Sequence, residues 1–297
     1  MKFDQTSIAI RERSHLEIYD LAAIVMVRHI RPIMVLLLLN ALPFALLDYY
    51  LVGWVTGVSF SYEFSTLYYT MMLALIASQA QLGTCLITIF MGRVMFMEEH
   101  SVRAVLRLFF KRLPYFLFSQ GILRLALFAV LLAWVTPHEE GPQIVGFYVG
   151  LRMIAITAIL VRSLRPYLPE VIFLEQTPLK KKGDLPSLSE RSKNLHSLAF
   201  YSCSLIWQFI LMRVTVPLML FAVHSVFIML DSMLSIRANS EQSLQPFYLL
   251  ASGWFVAAFF AIVQFLMYIN VRIRQEGWAV QLKFMTENSL LTQSQES

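Results

Sequence analysis

The most constraining feature of this chain is an uncharged run from Phe247 to Ile269. A helix needs about 20 apolar residues to cross a hydrocarbon layer roughly 30 Å thick, because each residue rises about 1.5 Å. Arg272 and Arg274 follow the run at once, and basic residues that flank a span stay on the cytoplasmic side. The run therefore predicts a transmembrane helix whose C-terminal end faces the cytoplasm.

Composition extends this interpretation to the whole chain. Of its 297 residues, 58% are hydrophobic and only 14% are charged, whereas soluble domains are about 45–50% apolar and about 25% charged. The net charge of +5 comes from basic residues at the ends of apolar runs, without the aromatic-interleaved patch typical of nucleic-acid binding. The sequence predicts a polytopic membrane protein that contacts the lipid bilayer and not nucleic acid.

Hydropathy along the chain predicts an all-α transmembrane helical bundle of about six spans with interfacial amphipathic helices. The predicted spans lie at about 32–54, 67–92, 114–136, 143–164, 201–231 and 247–271. They divide the chain into a cytoplasmic N-terminal segment (1–31), a membrane domain (32–271) and a cytoplasmic C-terminal tail (272–297). Arg237 is the only basic residue in the three predicted outer loops, and this asymmetry places both termini in the cytoplasm.

Two segments outside the predicted spans have the pattern of interfacial helices. In the first, Ser14 and Glu17 have the spacing of a capping box, which predicts a helix that begins near residue 15. Residues 16–30 are amphipathic and predict a helix in the membrane plane, with a cytoplasmic extension of the first span as the alternative. Arg31-Pro32 should end this helix, because the residue before proline avoids the α region.

Residues 101–113 form the second such segment. Basic residues recur there every four positions, and apolar residues fill most of the others. The basic positions are Arg103, Arg107 and Lys111. A basic stripe over an apolar face suits the anionic inner leaflet, so anionic lipid head groups are the predicted partners. A solvated helix that caps the bundle is the alternative interpretation.

Three arginines fall near the middle of predicted spans: Arg124, Arg152 and Arg213. A central arginine costs about 2.5–3.5 kcal/mol on insertion scales, so each requires a polar partner or water. With Gln79 and Gln208 they form the candidate ligand-binding set, a cavity for an anionic group such as a lipid phosphate or a carboxylate. The alternative is a set of buried polar contacts that fix helix packing.

The sequence lacks the common catalytic and metal-binding motifs. It contains no G-x-S-x-G, H-E-x-x-H, Walker A or C-x-x-C pattern, and its 2 cysteines, Cys85 and Cys203, lie in or beside apolar runs. His138-Glu139-Glu140 fits a solvated acidic loop better than a metal site, because adjacent residues rarely converge on one ion. We therefore predict no catalytic residue, no metal and no cofactor.

The ending YINVRIRQEG at 268–277 resembles a Y-x-D-x-R-x-R-x-E-G ending found in uncharacterised bacterial polytopic membrane proteins. These proteins are loosely related to the membrane domain attached to some glycerophosphodiester phosphodiesterases and to the YciC-like group. The stretches RERSHLEIYDLAAIVMVRHIRPIMVL at 11–36 and RPYLPEVIFLEQTPL at 165–179 are similar to the same proteins, whereas Asn270 stands where the pattern has Asp. The resemblance implies a six-helix protein of the bacterial inner membrane with cytoplasmic ends. It also implies a gene neighbourhood of cell-envelope proteins that include a MoxR-type ATPase.

Within this ending, four residues form the candidate cytoplasmic motif: Arg272, Arg274, Glu276 and Gly277. The two arginines can bind lipid phosphates or the C-terminal carbonyls of a neighbouring helix. Glu276 can pair with Arg272 one helical turn away, and Gly277 allows a turn or a close backbone contact. A simple stop-transfer anchor is the alternative.

Taken together, these patterns favour a non-enzymatic inner-membrane protein, a scaffold or accessory subunit of a cell-envelope assembly with membrane-protein partners. The alternative is a transporter-like or lipid-handling protein with an arginine-lined intramembrane cavity, and an intramembrane enzyme is a weaker third. Replacing Arg152 with Gln distinguishes the first two hypotheses. The change should abolish transport or ligand binding in the second case and lower only stability in the first.

Overall fold

The structure is a computed structural model, and it describes residues 12–53, 62–95, 102–122, 126–135, 142–178, 186–201, 204–233 and 245–276. Of these described residues, 93% lie in helices and none lies in a strand, which confirms the prediction of an all-α fold. The helices are α1 (His15–Arg28), α2 (Ile30–Val52), α3 (Tyr62–Met95), α4 (Val102–Phe116), α5 (Ala126–Val135), α6 (Pro142–Leu164), α7 (Leu168–Phe173), α8 (Leu188–Tyr201), α9 (Ser204–Met233) and α10 (Gln245–Glu276).

Four of these helices contain segments long and apolar enough to cross a membrane, by length and composition. They are Ile30–Val52, Tyr68–Met95, Ile210–Met233 and Phe247–Arg274. Two shorter apolar helical segments, Ala126–Val135 and Val149–Val161, fall within the predicted spans 114–136 and 143–164. The described residues therefore confirm membrane-length helices, and the number of six spans stays a prediction.

Helices α3 and α10 form the centre of the bundle. In the 18-residue apolar stretches of α3 and α10, 78% and 72% of the residues are buried. In the corresponding stretch of α9, only 6% are buried. Close approach of α3 and α10 depends on glycine: a Cβ at Gly83 would lie 2.1 Å from the ring of Trp254, and one at Gly253 would lie 2.7 Å from Ile76. Small residues at such contacts let helix backbones pack closely where lipid supplies no hydrophobic driving force.

Helix α1 begins as the sequence predicts. The Ser14 hydroxyl accepts a hydrogen bond from the Glu17 backbone N–H, and the Glu17 carboxylate accepts one from the Ser14 N–H, each at 3.3 Å. This arrangement is a capping box. Helix α1 buries Ile18 and Ala22 and ends at Arg28, and α2 begins at Ile30. The helix break thus precedes Arg31-Pro32, and Pro32 lies in the first turn of α2, where its missing N–H costs nothing.

Helix α4 carries the predicted basic stripe on its outer face. Arg103, Arg107 and Lys111 are exposed, whereas Val105 is fully buried. The boundary predicted at Pro114 lies inside the helix, which continues to Phe116 and then into a π-helical segment, Leu117–Ile122. A π-helical turn relieves the mismatch that a proline introduces into α-helical hydrogen bonding. The amphipathic segment and the start of predicted span 3 are therefore one continuous helical element.

Candidate functional site: a polar cluster at the C-terminal end of α10

The last turns of α10 present polar side chains on two faces of the helix. Gln264, Tyr268 and Arg272 are spaced four residues apart and therefore share one face. Asn270 and Arg274 are also four residues apart and lie on a different face. The two faces bind two different segments of the chain.

Glu175 is the centre of the first set of contacts. It follows α7 and accepts two hydrogen bonds from the Arg191 guanidinium, from Nε at 2.6 Å and from Nη2 at 3.0 Å. The Tyr268 hydroxyl donates to its Oε1 at 2.7 Å, and Nη1 of Arg272 lies 3.4 Å from the same oxygen. The side chains of Glu175, Arg191 and Arg272 are only 10%, 23% and 15% exposed. We name these four residues the Glu175 cluster.

A second acid lies close to this cluster. Glu170, in α7, is only 1% exposed. The Gln264 amide donates to the Pro166 carbonyl at 2.7 Å and to Oε1 of Glu170 at 3.2 Å. The face of α10 that carries Tyr268 and Arg272 therefore also holds the beginning of the elbow formed by residues 165–178. In this way one helix face binds both ends of that elbow.

Tyr167 and His196 join the elbow to α8 and α9. Nδ1 of His196 lies 2.6 Å from the Ser192 carbonyl, so this nitrogen carries the proton, and Nε2 accepts the Tyr167 backbone N–H at 3.2 Å. The Tyr167 ring stacks on the His196 ring, and its hydroxyl donates to Oε1 of Gln208. Burial raises the pKa of the Tyr167 hydroxyl well above its ordinary value, and the nearby charge of Glu170 raises it further. Tyr167 is therefore a neutral hydrogen-bond donor.

The second face of α10 binds the segment before α1. Oδ1 of Asn270 accepts the Arg13 backbone N–H at 2.9 Å, and its Nδ2 donates to the Arg13 carbonyl at 3.1 Å. Nη2 of Arg274 donates to the same carbonyl at 3.2 Å, and its Nε lies 3.8 Å from the Glu12 carboxylate. A carboxylate at position 270 could accept the N–H but could not donate to the carbonyl. The amide of Asn270 therefore matches both backbone groups of Arg13.

The donors and acceptors of this site form hydrogen bonds and ion pairs with one another. The Glu175 carboxylate is held by two guanidinium groups and one phenol, and a bidentate arginine contact is both strong and directional. Among the described residues, no group of three or more His, Cys, Asp or Glu side chains is arranged to hold a metal ion. The arrangement can therefore fix the relative positions of α7, α8, α10 and the segment before α1.

The residues predicted from sequence as a ligand-binding set fall in different parts of the structure. Arg124 lies outside the described residues. Arg152 on α6 and Arg213 on α9 are exposed, whereas Gln79 and Gln208 are buried. Gln79 donates to Asp48 on α2, and Gln208 accepts from the elbow, so the two amides serve separate contacts. The structure does not bring these four described residues together.

Arg213 lies among residues of α9 that contact the elbow and α1. Five residues earlier, Gln208 contacts Tyr167 of the elbow; two residues later, the Thr215 hydroxyl lies 3.2 Å from the hydroxyl of Tyr19 on α1. The first turns of α9 thus lie beside α1 and the elbow, at the end of the bundle where the polar cluster lies. An arginine near a helix end can extend its charged group towards water.

The structure describes the side chains of two of the four residues of the predicted cytoplasmic motif. Arg272 and Arg274 both belong to the polar cluster, on its two different faces. Glu276 is the last residue of α10, but its side chain and all of Gly277 lie outside the described part of the chain. Sequence reasoning missed Glu175 and Arg191 as partners of this motif. The four-residue spacing of Gln264, Tyr268 and Arg272 was the available signal that this face of α10 binds a polar segment.

The three stretches that carry the family resemblance meet at this site, through Arg13, Glu175 and the end of α10. Comparison with protein-family models, with curated proteins and with solved structures gives no significant match. The described residues thus define an all-helical fold in which four helices are long and apolar enough to cross a membrane, with a polar cluster at the C-terminal end of α10.

Proposed function

We propose that this chain is an integral protein of the bacterial inner membrane that acts as a scaffold or accessory subunit of a cell-envelope assembly. In this proposal it crosses the membrane six times, and both termini are cytoplasmic. The polar cluster then lies at the cytoplasmic end of the bundle, because Arg272 and Arg274 belong to it.

The Glu175 cluster is the observation that carries the proposal. Its groups bind one another and hold the elbow and α8 against α10, and Asn270 and Arg274 hold the segment before α1 against the same helix. A surface built on rigid, mutually bonded elements is preorganised for a partner, and little conformational entropy is lost when the partner binds. The exposed residues around this end are therefore suited to docking, with the cluster as their support.

The exposed basic face of α4 supports a place for this end at the inner leaflet. Anionic lipids attract such residues by about 1 kcal/mol for each Lys or Arg near the surface. The three basic side chains of α4 are exposed beside Phe110, which is 63% exposed. An apolar ring among exposed cations is the pattern of a helix that lies against lipid head groups.

The arginine-lined cavity of the alternative function gains no support from the geometry. Arg152 and Arg213 are exposed on two different helices, and the buried Gln79 and Gln208 already contact Asp48 and Tyr167. Lipid handling by a cavity therefore remains a prediction from sequence, and docking is the function that the described residues favour.

A partner-capture experiment tests the scaffold function. The full chain is expressed in its membrane, crosslinked, extracted in mild detergent, and its co-purifying proteins are quantified by mass spectrometry. The wild type and Glu190→Gln, an exposed change on α8, should retain the same partner, whereas Glu175→Gln should lose most of it at equal abundance in the membrane. Equal capture by all three proteins, or capture of no specific protein by any, contradicts the proposal.

The topology is tested separately. Reporters that work only on one side of the membrane are fused within 55–61, within 136–141, within 234–244 and after residue 297. Six spans with cytoplasmic ends require an outer signal at the three internal sites and an inner signal at the C-terminus. An outer signal at the C-terminus contradicts the proposed orientation.

A further inference from the structure

The interior contact between α2 and α3 contains one carboxyl group. Asp48 on α2 and Gln79 on α3 are both 0% exposed. Nε2 of Gln79 donates to Oδ1 of Asp48 at 2.7 Å. Both residues lie within the segments that are apolar enough to cross a membrane. An ionisable side chain in such a position is costly and is a site of function by default.

The two other oxygens of this pair have no hydrogen-bond partner among the residues that the structure describes. They are Oδ2 of Asp48 and Oε1 of Gln79, and both atoms are buried. If the carboxyl group is ionised, both are acceptors, and no donor in the described structure reaches either. Buried polar atoms in folded proteins almost always form hydrogen bonds, so these two unbonded oxygens require an explanation.

A proton on Oδ2 would turn this oxygen into a donor, and the unbonded amide oxygen of Gln79 is the acceptor that the same pair offers it. A protonated carboxyl group is a donor, and the amide oxygen of Gln79 belongs to the group that already bonds the other carboxyl oxygen. The two groups would then form a closed, neutral ring with one N–H···O and one O–H···O hydrogen bond. A metal ion fits less well, since a cation such as Ca²⁺ takes about 6–8 oxygen ligands and this pair offers two.

The charges around Asp48 do not provide a substitute for the proton. Asp48 forms no ion pair in the described part of the chain, and the Tyr68 phenol on α3 lies near enough to interact with it electrostatically. Helix α5 has no acidic or basic side chain, and α10 has none from Phe247 to Ile269. The charged residues of α1 are Glu17, Asp20 and Arg28, and Arg93 lies in the last turn of α3.

We propose that Asp48 and Gln79 form an intramembrane proton-binding site, in which Asp48 is protonated and donates to the Gln79 amide. Loss of the proton leaves a buried negative charge with one amide donor and separates the two acceptors by repulsion. Protonation of Asp48 therefore controls how tightly α2 packs on α3. This inference is independent of the proposed scaffold function, because it involves neither the Glu175 cluster nor a partner.

The direct test is labelling with dicyclohexylcarbodiimide, an apolar reagent that adds to protonated carboxyl groups. The carboxyl O–H adds across one C=N bond of the reagent, and the acyl group then migrates to nitrogen to give a stable adduct with no leaving group. The full chain in membranes is labelled at several pH values, and the modified peptides are quantified by mass spectrometry. Asp48 should be labelled at low pH, and the rate should fall about tenfold for each pH unit once the ionised form dominates. Asp20, which is exposed on α1, is the internal control and should carry no stable adduct, because water hydrolyses the first adduct at an exposed site before the acyl group migrates.

Asp48→Asn provides the matched variant, since an asparagine amide has the shape and the hydrogen-bond pattern of the protonated acid. The variant should fold and should lose the labelling. Its midpoint of thermal unfolding should not change over the pH range where the wild type becomes less stable. The sign follows from linkage: the folded wild type binds one more proton than the unfolded chain, so its stability falls as pH rises. The infrared band of a protonated carboxyl group should be present in the wild type and absent from the variant. Absence of both label and band at low pH, or the same pH dependence in wild type and variant, overturns the proposal.

Discussion

Replacing Glu175 with Gln should destabilise the chain by about 3 kcal/mol, because it leaves two guanidinium groups without their shared carboxylate. Removing one partner of a buried ion pair costs about 3–5 kcal/mol. The side chains of Glu175, Arg191 and Arg272 are 10%, 23% and 15% exposed. Because they are still partly solvated, the expected cost lies at the lower end of that range.

The estimate is supported by the separate contacts. Arg191 contributes two charge-assisted bonds, at 2.6 and 3.0 Å, and the Tyr268 phenol contributes a third at 2.7 Å. Bonds to charged groups contribute about 1.5–3 kcal/mol each, but they are not additive within one network. A glutamine at position 175 can still accept from Tyr268, so the loss should come mainly from the two arginines.

The assay is reversible unfolding of the purified chain in detergent or lipid, followed by circular dichroism. Glu190→Gln on α8 removes an exposed carboxylate and should change the free energy of unfolding by less than about 0.5 kcal/mol. In a double-mutant cycle, Glu175→Gln and Arg191→Gln should show a coupling energy of about 1 kcal/mol or more. If Glu175→Gln is as stable as Glu190→Gln, the Glu175 cluster does not hold α7, α8 and α10 together.

Three further predictions concern other contacts of the bundle. Gly83→Ala should destabilise the folded chain by about 1–3 kcal/mol, because the new Cβ overpacks against Trp254. The control is Gly150→Ala, whose nearest neighbour lies 3.3 Å from the new Cβ, and it should cost less in the same unfolding assay. Asn270→Ala should free the segment before α1, so that limited proteolysis near Arg13 becomes faster while the remaining helices stay protected. Replacing the basic residues of α4 by Gln should lower the amount of co-purified anionic lipid seen by native mass spectrometry, and unchanged lipid binding would contradict the interfacial role. The three residues are Arg103, Arg107 and Lys111.

Local signals in the sequence were sufficient for the helices and for part of their ends. Long apolar runs predicted α2, α3, α9 and α10, because the length of an apolar helix follows directly from the thickness of the bilayer. The capping box at Ser14 fixed the start of α1, since it depends on residues three apart. Pro114 was misread as a boundary because a proline signals a local disturbance but not whether the helix continues around it.

The polar contacts between distant segments could not be predicted in the same way. Arg272 and Arg274 were recognisable as charged residues at the end of a span, but their partners lie about 100 and 260 residues away in the chain, at Glu175 and Arg13. The three mid-span arginines suggested a shared cavity because sequence position gave them similar depths. Helix rotation decides which way each side chain faces, and Arg152 and Arg213 face outward.

Glu175 and Asp48, two acids of this bundle, have opposite explanations. Glu175 has two cations and a phenol as donors, so its charge is balanced and its role is explained by the segments that it joins. Asp48 has one amide donor and an unbonded oxygen next to a second unbonded acceptor, so the described contacts leave its ionised form unbalanced. A fully bonded acid such as Glu175 makes the fold more rigid. An incompletely bonded acid such as Asp48 makes helix packing depend on a proton. The packing of α2 on α3 should therefore respond to pH where the contact of α10 with the elbow does not, and hydrogen exchange of these helices measured at two pH values distinguishes the two contacts.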